Sequence, residues 1–185
     1  MRFCTKWYLL LPLFLLFFFS SPVLQNTEGN DNQASLCERL KPCQLLTPAN
    51  AEKILGQPVR QTQDTSELKG KVRQCSCIYQ GVSKDPVSGQ DINLYFSIEH
   101  EESKPSAEQA HRVLQSIKND NAHDSTITDE PGIGDEAFRL GDSPNVHFIL
   151  ARKGAIVIRL QIKQATEKTS LEELRSFARE TAKRL

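Results

Sequence analysis

Four cysteines place the strongest constraint on how this chain of 185 residues can fold. Cys37 and Cys43 form one cluster, and Cys75 and Cys77 form a second cluster further along the sequence. An even number of cysteines outside the N-terminal segment indicates disulfide bonds if the protein is exported to an oxidising compartment. The sequence therefore predicts a fold in which covalent bonds tie distant segments together.

Three connectivities of these cysteines are possible. A Cys75–Cys77 bond is disfavoured because it would force a tight turn into a predicted strand. Closing the long loop from Cys43 to Cys77 is worth about 4 kcal/mol in the chain-entropy model, against roughly 2.4 kcal/mol for the short Cys37–Cys43 loop. Bonds between the two clusters are therefore favoured, and we predict Cys43–Cys77 together with Cys37–Cys75.

The first 24 residues differ in kind from the rest of the chain. Arg2 and Lys6 precede a run of thirteen apolar residues from Trp7 to Phe19, and small residues follow this run. This order is typical of a signal peptide. A spanning helix needs roughly 20 apolar residues, so an uncleaved N-terminal anchor is the alternative. We predict a protein that is secreted or periplasmic, or one that is membrane-anchored with its domain outside the cytosol.

Composition divides the remaining sequence into a short leader and one domain. Residues 25–36 are almost entirely polar, which predicts a disordered leader. Residues 37–185 are numerous enough to bury a single core. The whole chain has 23 basic and 23 acidic residues, and without Arg2 and Lys6 its net charge is −2. This balance argues against nucleic-acid binding, which needs a concentrated basic surface, and against a polybasic membrane patch.

Hydrophobic periodicity within 37–185 predicts an α+β fold. Thr47 as N-cap and Gly56 after the last turn delimit a first helix. Apolar stripes predict helices over 106–119 and 170–185, and Ser170 opens a capping box. Alternation predicts strands at 72–80, at 91–99, in the segment that ends near Leu140, at 146–151 and at 155–162. We therefore expect an antiparallel sheet of about six strands flanked by three helices.

Glu99, His100, Glu101 and Glu102 form the one dense patch of potential metal ligands in the sequence. Adjacent residues at a strand end point in opposite directions, so they do not converge on one ion without a turn. The four histidines of the chain also lack the spacing of a shared metal motif. We interpret the patch as a solvated strand end and predict no metal site.

Cys75 and Cys77 are also candidates for a redox pair. Redox thiols usually occupy a C-x-x-C motif at the N-terminus of a helix, where the helix dipole lowers the thiol pKa. Here the spacing is C-x-C within a predicted strand. We therefore interpret both cysteines as structural disulfide partners.

Two short motifs resemble parts of active sites. Gly-Asp-Ser at 141–143 is similar to the nucleophile block of one esterase class, but it lies late in the chain and only His147 follows it. Gly-Ile-Gly-Asp at 132–135 has too few glycines for a phosphate loop, and a strand follows it where a helix is needed. We interpret this second motif as a turn that needs a positive φ at one glycine, with a partner-facing lip as the alternative. No catalytic residue is predicted.

Three motifs spread over 37–185 give a family resemblance. The segment from Cys43 to Pro58, which contains Leu-Leu-Thr-Pro and ends in Ile-Leu-Gly-Gln-Pro, resembles the opening of small exported bacterial proteins with a domain of unknown function. Many of these proteins are actinobacterial lipoproteins. Cys-Ile-Tyr at 77–79 is similar to their C-x-Y strand, and Gly-Ile-Gly-Asp-Glu-Ala at 132–137 is similar to their G-x-G-D-E-A turn.

The resemblance implies a PsbP-like fold, which is an antiparallel sheet flanked by helices, with Cys77 of the C-x-Y strand bonded to the opening cysteine, Cys43. It implies no catalytic residues. Cys37 and Cys75 lie outside the usual cysteine pair of this family. A lipid-attachment cysteine is missing, which implies release from the membrane rather than lipid anchoring.

These observations favour a non-enzymatic exported domain that binds a protein, an envelope component or a small ligand. The alternative is an enzyme, either a thiol or redox protein that uses Cys75 and Cys77 or a metal-dependent one that uses the patch from Glu99 to Glu102. We expect no cofactor and no nucleic-acid partner. Membrane contact is expected only through an uncleaved N-terminal segment.

Overall fold

The computed structural model describes residues 36–141 and 145–185. The predicted signal peptide or anchor and nearly all of the predicted leader lie outside these residues, and so do Asp142 and Ser143 of the esterase-like motif. None of the helices in the described part of the chain is long and apolar enough to cross a membrane.

Strands with alternating burial build one antiparallel sheet at the centre of the described residues. The strands are β1 (Val59–Lys69), β2 (Val72–Lys84), β3 (Asp91–Glu101), β4 (Ile127–Asp129), β5 (Glu136–Leu140), β6 (Val146–Lys153) and β7 (Ile156–Lys163). They lie in the order β1-β2-β3-β7-β6-β5-β4, and every neighbouring pair is antiparallel. The last long strand, β7, therefore pairs with β3 and joins the two halves of the sheet.

Helical segments precede, interrupt and follow the strands. They are α1 (Leu36–Leu40), α2 (Pro42–Leu45), α3 (Pro48–Leu55), α4 (Ala107–Asp120) and α5 (Leu171–Arg184). The N-caps predicted at Thr47 and Ser170 are confirmed, and Ser106 caps α4 in the same way. Each of these side chains accepts a hydrogen bond from a backbone N–H three residues later. The Ser170 N–H, however, donates to the Ile54 carbonyl at 2.8 Å, so the start of α5 is tied to α3.

One side of the sheet, here called the α5 side, carries the main core. The apolar face predicted for β3 is buried there, and Leu94, Phe96 and Ile98 are each at most 1% exposed. Helices α3 and α5 pack on this side, and the Phe177 ring of α5 meets the Phe96 ring edge-on at a centroid distance of 5.2 Å. Burial of these large side chains supplies most of the driving force for the fold.

The other side of the sheet, here called the α4 side, has a smaller core. Ala110 and Leu114 of α4 pack on Phe138, Leu150 and Val157 from β5, β6 and β7. This cluster contains no residue of β1, β2 or β3. Helix α4 therefore covers only one half of its side of the sheet.

Two disulfides join the opening segment to β2. Cys37 of α1 is bonded to Cys75, and Cys43 of α2 is bonded to Cys77, with Cα–Cα distances of 5.4 and 5.2 Å. Both strand cysteines are fully buried on the α5 side. The structure thus places the four cysteines in the pairs that we expected. Helices as short as α1 and α2 are marginal by themselves, so the two bonds and the core beneath them hold these helices in place.

The element count differs from the expectation in two ways. The sheet has seven strands in place of about six. Alternation located five of them in the sequence, and it located neither β1 nor the three-residue β4. Strand β1 lies at the sheet edge and is polar and mostly exposed, so it lacks the apolar alternation that reveals a strand. The described residues also contain five helical segments in place of three, because α1 and α2 are too short for a helical period to show.

Candidate functional site

The α4 side of β1, β2, β3 and β7 forms a sheet surface that we call the open face. Its side chains alternate with those of the buried core, and the strand registers arrange them in rows across the sheet. No described residue of these strands, apart from Val157, belongs to the cluster under α4. The side chains of the open face include Arg60, Gln63, Thr65, Glu67, Gln74, Ser76, Ile78, Gln80, Asn93, Tyr95, Ser97, Glu99, Arg159, Gln161 and Lys163.

Tyr95 lies at the centre of the open face. It is opposite Ile78 of β2 and opposite Gln161 of β7, and all three side chains are partly exposed. The Lys163 ammonium lies 5.0 Å from the Tyr95 ring centroid, within the range of a cation–π interaction. Among the described residues, neither the Tyr95 hydroxyl nor the Gln161 amide has a hydrogen-bond partner. These groups therefore have donors and acceptors to offer a ligand.

One end of the open face is internally neutralised. The Arg159 Nε lies 2.8 Å from the Glu99 Oε1, although it is not aligned for a hydrogen bond, so the attraction is electrostatic. The Gln74 amide donates to the same Glu99 oxygen at 3.1 Å, and Lys69 donates to the Gln74 carbonyl oxygen at 2.6 Å. These contacts leave little unbalanced charge at this end.

The opposite end of the open face is basic. Arg60 donates two hydrogen bonds to the side-chain amide oxygen of Gln80, at 3.0 and 2.6 Å. Within the described residues, neither Arg60 nor Lys163 has a carboxylate at ion-pair distance, whereas the nearby Lys84 has Asp91 at 3.9 Å. Arg60 and Lys163 are also both exposed. This end therefore presents two unpaired positive charges.

The patch from Glu99 to Glu102 does not converge in the structure. Glu99 belongs to the open face, while Glu102 accepts a hydrogen bond from Arg73 at 2.6 Å, which holds the pKa of Glu102 below its ordinary value. His100 Nδ1 lies 3.0 Å from the Glu101 carbonyl, and His100 Nε2 is buried without a partner beside a small apolar pocket under α4. No three His, Cys, Asp or Glu side chains of the described residues are placed to share a metal ion.

The turn at 132–135 lies in the connection between β4 and β5 and contacts the turn between β6 and β7. Asp135 accepts hydrogen bonds from the Gly154 N–H at 2.7 Å and from Lys153 at 3.0 Å, and these contacts lower the pKa of Asp135. Gly134 has a φ of 62°, and a Cβ atom there would lie 2.3 Å from the Arg152 carbonyl oxygen. The turn therefore has a positive φ as predicted, and its polar groups are used within the protein.

A buried ion cluster was missed by the sequence analysis. Glu130 is only 6% exposed, and Arg175 of α5 binds both of its carboxylate oxygens at 2.8 Å while Arg139 of β5 donates at 3.2 Å. Burial acts to raise the pKa of Glu130, but the two guanidinium groups lower it overall. Burial, and then the positive charges of Arg139 and Arg175, lower the pKa of His147 nearby. Glu130, Arg139 and Arg175 neutralise one another, so the cluster fixes α5 to the sheet.

A cavity of about 900 Å³ opens between the β2–β3 connection and the β7–α5 connection. Val87 at its rim is 92% exposed, and several polar groups around it are engaged locally. The Asp85 carboxylate accepts hydrogen bonds from the N–H and hydroxyl of Ser88, and the Gln57 side chain accepts one from the Ser83 N–H. These contacts stabilise the loops at the cavity.

The sheet topology and the two disulfides define an antiparallel α+β protein of the kind that is stable in an oxidising compartment. No protein-family model, no curated protein and no solved structure matches the chain.

Proposed function

We propose that this protein is an exported, non-enzymatic binding domain whose ligand surface is the open face. The observation that carries the proposal is the partly exposed centre of this face, where Tyr95 and Gln161 have no hydrogen-bond partner among the described residues. Tyrosine offers a large, rigid contact area at a low entropic cost, and an amide side chain offers both donor and acceptor. A surface of this kind is suited to binding rather than to packing.

Export is supported by the disulfides and by the N-terminal sequence. Bonds such as Cys43–Cys77 persist where the environment is oxidising. The order of charged, apolar and small residues in the first 24 positions is that of a signal peptide or anchor. We place the domain in the secreted or periplasmic space and retain the PsbP-like family resemblance as part of the proposal.

The non-enzymatic assignment is supported by how the reactive groups are used. Cys75 and Cys77 are bonded and buried, so they do not present thiolates. Glu130 is held by two arginines, and Asp135 is held by the backbone of a turn. General acid–base catalysis needs a titratable group within reach of a substrate proton, and these carboxylates are already occupied.

Photo-crosslinking in the organism that produces the protein tests the proposed surface. A photo-reactive amino acid in place of Thr65, at the rim of the open face, leaves Tyr95 and Gln161 intact. The same amino acid in place of Glu172, an exposed position on α5, is the control. We expect an adduct with an envelope component from the Thr65 position only. Equal adducts from both positions, or none from Thr65, would contradict the proposal.

A thiol titration of the exported protein tests the assumed chemistry of the cysteines. We expect no reactive thiol from Cys37, Cys43, Cys75 or Cys77 before denaturation and reduction. Four free sulfhydryl groups in material collected outside the cytosol would refute both the oxidised state and the argument against a thiol enzyme.

A further inference from the structure

The open face carries its unpaired charge at one end only. Glu99 and Arg159 balance each other at the neutral end, whereas Arg60 and Lys163 at the basic end have no carboxylate partner among the described residues. Unpaired cations on a solvated surface attract anionic ligands and steer their approach. Charge complementarity therefore selects a ligand with negative charge.

The two cations are held apart by the strand register. Arg60 of β1 is opposite Gln80 of β2, Gln80 is opposite Asn93 of β3, and Asn93 is opposite Lys163 of β7. Three strand spacings separate the first and last strands of this row, which is about 14 Å. The Arg60 side chain is hydrogen-bonded to Gln80, and the Lys163 ammonium lies over the Tyr95 ring, so these contacts hold the two side chains apart. A single carboxylate or phosphate does not bridge them, and the ligand must be extended with more than one anionic group.

Neutral polar groups fill the space between the two cations. Gln80 and Asn93 lie in the same row, and Gln161 and Tyr95 lie in the next one. Gln80 is buried and its side-chain oxygen accepts from Arg60, and the Asn93 amide donates to the Asp91 carbonyl. The Gln161 amide therefore presents donor and acceptor side by side, which matches the neighbouring hydroxyl groups of a sugar. The apolar body of a tyrosine ring can contact the C–H groups of a sugar ring. An acidic peptide would instead find its backbone partners at a sheet edge, where strands are normally added.

We infer that the basic end of the open face binds an acidic polysaccharide, whose carboxylates pair with Arg60 and Lys163 while a sugar ring lies against Tyr95 and Gln161. This inference rests on the proposed function and names the substrate class of that same surface. The ligand is extended, hydroxyl-rich and carboxylate-bearing, and uronic acid chains have this chemistry.

Calorimetric titration of the full exported protein with three probes tests the inference. The probes are an oligogalacturonate, the same oligosaccharide with its carboxylates reduced to alcohols, and an oligoglutamate with the same number of charges. We expect the oligogalacturonate to bind best, with an affinity that falls as salt is raised. The reduced oligosaccharide should bind about tenfold more weakly, since it lacks the charges that Arg60 and Lys163 recognise. Tyr95→Ala should weaken binding of the oligogalacturonate and leave the oligoglutamate unaffected.

A matched pair of double variants separates site binding from general charge attraction. R60Q/K163Q removes both cations of the basic end, and R112Q/K183Q removes one arginine and one lysine that are exposed on α4 and α5. We expect a loss of about tenfold in oligogalacturonate affinity for the first variant only. Thermal unfolding of each variant checks that the fold is retained.

Three results would overturn the inference. They are equal binding of the reduced oligosaccharide, equal or tighter binding of the oligoglutamate, and an equal loss of affinity in both double variants. Failure here is distinguishable from failure of the proposed function. If the Thr65 position still gives a specific adduct, the open face remains a binding surface and only the ligand class is wrong.

Discussion

Removal of the two disulfides, one at a time and together, should show that their contributions to the free energy of unfolding are not additive. The perturbations are C37A/C75A, C43A/C77A and the variant that combines all four substitutions. The bonds enclose sequence separations of 38 and 34 residues. In the chain-entropy model a loop of either length stabilises the native state by about 3.8 kcal/mol when it is the first to close.

The magnitude for the second bond is smaller because the two loops overlap, since Cys43 lies inside the Cys37–Cys75 loop and Cys77 lies just outside it. Once Cys43 and Cys77 are joined, the bond between Cys37 and Cys75 closes an additional ring of only about nine residues, which is worth about 2.6 kcal/mol. The same holds if the bonds are considered in the opposite order. Loss of either bond alone should therefore cost about 2.6 kcal/mol, whereas loss of both should cost about 6.4 kcal/mol. The combined cost exceeds the sum of the single costs by about 1.2 kcal/mol.

Urea unfolding of the oxidised proteins measures these costs. Replacing cysteine by alanine also removes packing contacts. This loss occurs in the pair variants and in the fourfold variant, so it largely cancels when the sum of the two single costs is subtracted from the combined cost. The m-value should rise as bonds are lost, because the denatured chain then exposes more surface. All variants are measured in sulfate buffer, which favours the folded state and so extends the native baseline of the fourfold variant. Additive costs, or a cost near 3.8 kcal/mol for each pair alone, would show that the bonds close independent loops and that this reasoning is wrong.

Three further predictions concern the charged cluster and the turn. Glu130→Gln leaves two guanidinium groups without their buried counter-charge and should lower the free energy of unfolding, measured with urea, by about 3 kcal/mol. The control Glu180→Gln, at an exposed position, should change it by less than about 0.5 kcal/mol. Equal effects of the two substitutions would contradict a structural role for the cluster. The pKa of Glu130 is lower in the folded state than its unfolded value of about 4.3. The contribution of Glu130 to the free energy of unfolding is therefore complete above about pH 4.3 and is lost as the pH falls through the folded pKa. A stability difference between wild type and Glu130→Gln that persists unchanged in strong acid would count against this assignment. Gly134→Ala places a Cβ against the Arg152 carbonyl oxygen and should lower the free energy of unfolding by about 3 kcal/mol. The control Gly132→Ala also has a positive φ, but its Cβ meets open space, so it should lower this free energy by about 1 kcal/mol. Similar losses for both would show that backbone conformation alone decides the effect.

Local sequence signals predicted the helices and the long central strands well. The caps at Thr47, Ser106 and Ser170 work because a side-chain oxygen satisfies a nearby N–H, which is a matter of a few residues. The alternation in β3 reports burial directly, because one face of that strand is in the core. These parts of the fold could be predicted since the interactions that specify them are local or follow from simple periodicity.

The edge strand and the ion cluster could not be predicted in this way. Strand β1 is polar along its length and owes its conformation to pairing with β2, which depends on contacts that its own sequence does not show. Glu130 and Arg175 meet across 45 positions of sequence, and nothing near either residue indicates a buried carboxylate. In each case the partner is supplied by the tertiary fold.

The sequence by itself determined the cysteine pattern, the class of fold, the helix ends and the strands that line the core. Only the tertiary structure decided which half of a sheet side helix α4 would cover and which half would stay open. That choice depends on the strand order, because β7 pairs with β3 and carries Lys163 into the same row as Arg60. Residues more than a hundred positions apart come to lie in one row of the sheet through the pairing of four strands, and periodicity within a single strand does not show which strands will be its partners.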